Sequence, residues 1–94
     1  MKFLTKIEWD TNKNDVNVKK HHISFETAAR VFLDENRLDY YDIVHSMNED
    51  RYITIGLVEE VIVVVYTLRK TRIRIISARL ATSKERELYY EENY

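Results

Sequence analysis

The chain has 94 residues, of which 45% are hydrophobic and 33% charged, and its formal net charge is −1. That length supports one core and not two, and the balance is that of a folded globular protein, not a disordered one. The absence of cysteine excludes a disulfide framework and a zinc knuckle.

At the start of the chain, MKFLTKIEWD has no apolar stretch of signal-peptide length. The longest apolar run, VIVVVY at 61–66, is far short of the roughly 20 residues that cross a bilayer. A soluble, cytoplasmic protein with no membrane partner is expected. Phe3, Ile7 and Trp9 alternate with Lys6 and Glu8, which predicts a short first strand. Asp10 can cap a helix over about 11–21, although Asn-rich composition with Val16 and Val18 gives it poor propensity. Ser24 caps a second helix, in which Phe25, Ala28, Ala29 and Phe32 repeat at i, i+3, i+4 and i+7. From Leu38 the period becomes that of strands: LDYYDI, RYITIGLV, VIVVVYTL and TRIRIISA, separated by short polar breaks. The third of these is almost wholly apolar, so a central position covered on both faces is expected. Thr82 and Glu85 form a capping box for a last helix of about 83–91. The reading is an α+β domain, β-α-α-β-β-β-β-α, with a twisted antiparallel meander and helices gathered on one side.

The near-neutral total hides an asymmetry. Residues 66–86 hold Arg69, Lys70, Arg72, Arg74, Arg79, Lys84 and Arg86 against Glu85 alone, a local +6 that leaves −7 elsewhere. Such segregation marks a surface that attracts an anion. In a regular strand over 72–79, Ile73, Ile75 and Ser77 share one face, and Arg72, Arg74, Ile76 and Ala78 the other. The arginine face is expected to be open or lightly covered, where guanidinium groups on a rigid sheet hold phosphate bidentately. Pairing of these arginines with Glu59, Glu60 or the acidic tail is the competing reading. Arg79 joins Arg74 only if the strand ends or bulges near Ala78. Of the histidines, His21 and His22 end the first helix and are read as structural. His45 lies in the polar loop DIVHSMNED, where an imidazole can move a proton; a surface histidine without a role is the alternative there. A single glycine, Gly56, rules out a Gly-rich phosphate loop, and no ligand set has metal-site spacing. No metal and no cofactor are expected.

The strings IEWDTNKNDVNVKKHHISFETAARVF, DIVHSMNEDRYITIG, VVVYTLRKTRIRIISAR and LATSKERELYYEE resemble BrnT-type toxins of bacterial toxin–antitoxin pairs. The most specific pieces are EWD, Lys-His-x-x-Ser-Phe-Glu, Asp-x-x-His, and RIRIISAR followed by Ala-Thr and Arg-Glu. The resemblance implies a single toxin domain over 1–94 with a RelE-like fold. It also implies metal-independent ribonuclease activity that inhibits translation, and a DNA-binding antitoxin of the BrnA type, assembled as two toxins with two antitoxins. His45, Arg51, Arg74 and Arg79 stand at family-typical positions. The expected catalytic set is His45, Arg51 and Arg79; Arg69, Arg72, Arg74 and Lys84 are expected to hold the RNA. Two departures stand out: His22 replaces a usual glycine, and Leu68-Arg69-Lys70-Thr71 replaces a glycine-containing turn. A non-catalytic nucleic-acid-binding module, or an inactive homologue, is the alternative function.

Overall fold

A computed structural model describes residues 6–93. The elements are β1 (Lys6–Trp9), α1 (Thr11–His21), α2 (Phe25–Ala29) running into a 3-10 segment (Arg30–Leu33), β2 (Leu38–Tyr41), β3 (Tyr52–Val58), β4 (Glu60–Arg69), β5 (Arg72–Leu80) and α3 (Ser83–Asn93). The order matches the expected α+β succession. Phe3 of the expected first strand lies outside the described residues.

Local chemistry sets most boundaries. Asp10 Oδ1 accepts from the N–H groups of Asn12 (2.8 Å) and Lys13 (3.1 Å), starting α1. That helix stops where His22 turns left-handed at φ 61° and its N–H donates to Val18 O at 2.8 Å. A glycine would hold this position at no steric cost, and histidine is among the residues that tolerate it. Ser24 Oγ accepts from Thr27 N–H and starts α2. The apolar stripe holds Phe25, Ala28 and Phe32 in the core, but the last turn tightens to 3-10 geometry. Thr82 and Glu85 close their capping box in both directions, at 2.8 and 3.2 Å. The second strand ends at Tyr41, short of the expected Ile43, because Asp42 turns the chain into the loop.

The sheet runs β1-β5-β4-β3-β2, with the apolar β4 at its centre as expected. The meander β2 to β5 is antiparallel, but β1 joins it in parallel, Lys6–Trp9 lying beside Arg72–Ile75. The sheet is therefore mixed. Hairpin signals are local and cannot reveal a partner strand at the far end of the chain.

The helices are not gathered on one side. Ile62, Val64, Tyr66, Ile75 and Ala78 pack under α1 and α2 with Phe25, Val31 and Phe32. Val61 and Val63, on the opposite face, pack with Ile55, Ala81 and Tyr89 under α3. A central strand apolar on both sides needs cover on both, and α3 supplies the second layer. Close approach of the 3-10 segment is possible because β3 carries Gly56, where a Cβ would lie 2.5 Å from Val31 Cγ2.

In β5, Ser77 opposes Val65 while Ile75 opposes Tyr66, which leaves Ile76 as an extra residue. This bulge inverts the alternation. Ile73, Ile75 and Ala78 share the α1/α2 side, whereas Arg72, Arg74, Ser77 and Arg79 share the other. The regular-strand assignment of Ser77 and Ala78 is thus reversed.

Beyond Trp9 the outer edge of β5 has no strand neighbour, and Asn17 of α1 takes that place. Its amide donates to Ala78 O and Ile23 O, both at 2.9 Å, and accepts from Ala78 N–H at 3.1 Å. An asparagine buried in a helix thus completes the backbone pairing of the residue between Ser77 and Arg79.

Candidate active site

Cross-strand partners share a face, so the register orders the basic side of the sheet into rows. One row runs through Thr67 and Arg74, with Glu8 beside Arg74. Arg51 extends it one residue before β3, its carbonyl accepting from Asp42 N–H at 2.8 Å. The next row is Tyr40, Ile53, Val65 and Ser77; the one beyond is Leu38, Ile55, Val63 and Arg79. Arg74 and Arg79 thus stand on one face, separated by four residues of β4, or about 13 Å along the strand. α3 covers the Leu38–Val63 end; at the other end Thr67 is buried under the β2–β3 loop, while the side chains of Arg72 and Arg74 reach solvent in part.

The arginines of this face carry acidic partners. Arg72 Nη1 donates to Glu8 Oε1 at 3.0 Å and Arg74 Nη1 to Glu8 Oε2 at 3.1 Å. Those two bonds, Arg72's first, hold the Glu8 carboxyl below the usual range. Arg69 meets Glu49 at 3.4 Å. Arg79 donates from Nη1 and Nη2 to the two oxygens of Glu85, at 2.8 and 2.9 Å, and from Nη1 to Leu80 O at 3.2 Å. The bond from Arg79 is the chief cause holding Glu85 down to about 2, against burial and with help from Thr82. The expected competitors Glu59, Glu60 and the tail are not the partners; Glu8, Glu49 and Glu85 are. Among the described residues, the side chains of Arg51 and Lys84 make no hydrogen bond or ion pair.

Glu85 does not close the site. It takes the end-on pair of Arg79 donors, which leaves the side edge, Nε–H with one Nη2–H, for a second bidentate acceptor. The ion pair fixes the guanidinium plane without using all of its donors.

The β2–β3 loop is held by Ser46. Its Oγ donates to Asp42 O and accepts from Arg51 N–H at 2.8 Å. Thr67 Oγ1 donates to Asp50 O at 2.8 Å, tying the loop to the row of Arg74. His45 stands in this loop with Nδ1 3.0 Å from Asp42 Oδ2. The register therefore gathers Arg51, Arg69, Arg72, Arg74 and Arg79 on one face, and His45 lies in the loop that Thr67 ties to it. No hydrogen bond joins His45 to an arginine among the described residues, and Lys84 stands apart on the first turn of α3. Sequence reasoning assigned nothing to Asp42, Asn17 or Glu8. Asp42 and Glu8 had visible signals, the Asp-x-x-His spacing and the EWD string; Asn17 had none. Among the described residues no group of three His, Asp or Glu is arranged as metal ligands.

Residues 9–85 match a family described as the ribonuclease toxin, BrnT, of type II toxin–antitoxin systems. The fold is similar to the 1.1 Å crystal structure of the Brucella abortus ribonuclease toxin BrnT, with a TM-score of 0.65 and 25% identity, covering 84% of this chain and 99% of that one. No significant match is found among curated proteins. The class is thus a small α+β ribonuclease toxin. Within it, the chain belongs to the BrnT family, and membership of a type II system implies an antitoxin partner.

Proposed function

We propose that this protein cleaves RNA without a metal cofactor, by attack of an internal 2′-hydroxyl on the adjacent phosphorus. The products are a 2′,3′-cyclic phosphate and a free 5′-hydroxyl, and loss of messenger RNA in the cytoplasm inhibits translation. The bulge at Ile76 carries this reading, since it turns Arg79 onto the face of Arg74. Arg79, through its free side edge, and Arg51, which has no carboxylate partner among the described residues, stabilise the charge growing on the phosphoryl oxygens. Arg69, Arg72 and Arg74 hold the backbone of the RNA, with Lys84 further along it, and His45 accepts the 2′ proton. The partner is a BrnA-type DNA-binding antitoxin in a two-plus-two complex.

The test is cleavage by antitoxin-free protein, with product ends identified. Arg79→Ala is expected to lower the rate on the order of 100-fold or more, as loss of one anion-stabilising donor does. A folded variant at wild-type rate would remove Arg79 from the site. A chelator is expected to leave the rate unchanged; loss restored by magnesium or zinc would overturn the metal-free mechanism. The carboxylates on Arg69, Arg72, Arg74 and Arg79 favour one second reading, a self-neutralised binding module. RNA binding with no cyclic-phosphate product would establish it.

A further inference from the structure

Asp42 and His45 are three residues apart yet opposite in exposure: the aspartate side chain is 9% exposed and the imidazole 67%. The residue is held by three bonds, two through its backbone and one through its carboxylate. Its backbone N–H donates to Arg51 O, its carbonyl accepts from Ser46 Oγ, and Oδ1 accepts from His45 N–H at 3.2 Å. Both carboxylate oxygens then face His45 Nδ1, at 3.0 and 3.3 Å. Among the described residues, no other group reaches either ring nitrogen.

An ionised carboxylate accepts and does not donate, so the nitrogen it faces must carry the proton. A neutral imidazole has one such N–H, and the other nitrogen is then an acceptor. The buried anion thus selects the Nδ1–H tautomer and leaves Nε2 to act as the base. We propose that Asp42 is a positioning residue, holding His45 in the tautomer whose Nε2 takes the proton of the ribose 2′-hydroxyl. This rests on the reading of His45 as the proton-transfer group. In the step, the O2′–P bond forms as the 2′ proton passes to Nε2. The P–O5′ bond breaks, and the departing oxygen takes a proton from water. The hydroxide so formed is neutralised by the imidazolium proton. While that imidazolium exists, the Asp42 carboxylate lies 3.0 Å away and balances its charge.

The experiment reads the ring directly. In uniformly ¹⁵N-labelled wild-type protein, long-range ¹H–¹⁵N correlation of neutral His45 is expected to show the proton on Nδ1. Asp42→Asn keeps an acceptor for His45 N–H but turns an amide donor toward Nδ1, so the ring is expected to hold its proton on Nε2. Cleavage is then expected to fall at least about 100-fold with RNA affinity little changed; the same exchange in a Ser-His-Asp triad costs ~10⁴. Asp42→Glu is expected to restore the Nδ1–H form and part of the rate. A wild-type ring protonated on Nε2 overturns the proposal even if no Asp42 variant folds. So does Asp42→Asn that cleaves at the wild-type rate while His45→Ala is inactive, since proton transfer by His45 then stands without the aspartate. A His45→Ala variant of undiminished activity removes the proton-transfer reading itself.

Discussion

A carboxylate on Arg79 changes what removal of either partner does. Arg79→Ala strands Glu85, which also accepts from Thr82 N–H at the start of α3. Some loss of melting temperature is therefore expected alongside the loss of cleavage, and Arg79→Lys separates the two by keeping charge while losing the fork. The pair is also an acid-labile element. Folding lowers Glu85 from an ordinary 4.5 to about 2, so its ionised form favours the native state. Its contribution is fully present above about pH 4.5 and is lost as pH falls toward about 2. Thermal melts over that window are expected to show a steeper loss for wild type than for Glu85→Gln. Parallel curves would show that the pair does not stabilise the fold.

At the scale of elements, a residue inside α1 and the one that ends it make opposite predictions. His22 holds φ 61° at the helix end and makes no hydrogen bond through its ring among the described residues. His22→Gly is expected to raise stability by about 0.5–1 kcal/mol, the left-handed penalty relieved less the entropy of a freer unfolded chain. Denaturant midpoints with an unchanged slope would check this. Asn17 acts the other way. Asn17→Ala strips partners from the N–H and C=O of Ala78 and from Ile23 O, and is expected to cost about 2–3 kcal/mol. Because Ala78 precedes Arg79, cleavage by the folded fraction is expected to fall too. Unchanged activity would mean that the β4 ladder alone sets the position of Arg79. Lys70 takes a left-handed φ of 59° in the β4–β5 turn, a conformation that favours glycine, and the hairpin still closes around it.

At the scale of the molecule, one half of one sheet face is basic, with Arg72 and Arg74 reaching solvent, and α3 bounds it. The proposed antitoxin would cover this half with acidic or apolar side chains, charge setting the encounter and apolar burial the affinity. Arg72→Glu with Arg74→Glu is expected to slow association, more at low salt than at high, as measured by stopped-flow mixing. An association rate that does not respond, or a complex that still cleaves RNA, would move the inhibitory contact elsewhere. Glu8 sits between these two arginines at 3.0 and 3.1 Å, so the same variant with Glu8→Gln separates internal repulsion from lost steering.

What the amino-acid sequence determined by itself was whatever rests on contacts between near neighbours. The helix starts at Asp10, Ser24 and Thr82, the end at His22, the four meander strands and the central rank of β4 are all written in a few adjacent residues. The family could be read the same way, because its motifs are local strings. Tertiary structure decided the rest, for one physical reason: each remaining feature depends on groups far apart in the chain. The parallel docking of β1 on β5, the second helical layer over Val61 and Val63, and the pairing of Arg72 and Arg74 with Glu8 have no local signature. The bulge at Ile76 belongs with them. Its register is set against Val65 and Tyr66, and with that single extra residue the packing of the sheet decided which face Arg79 would share.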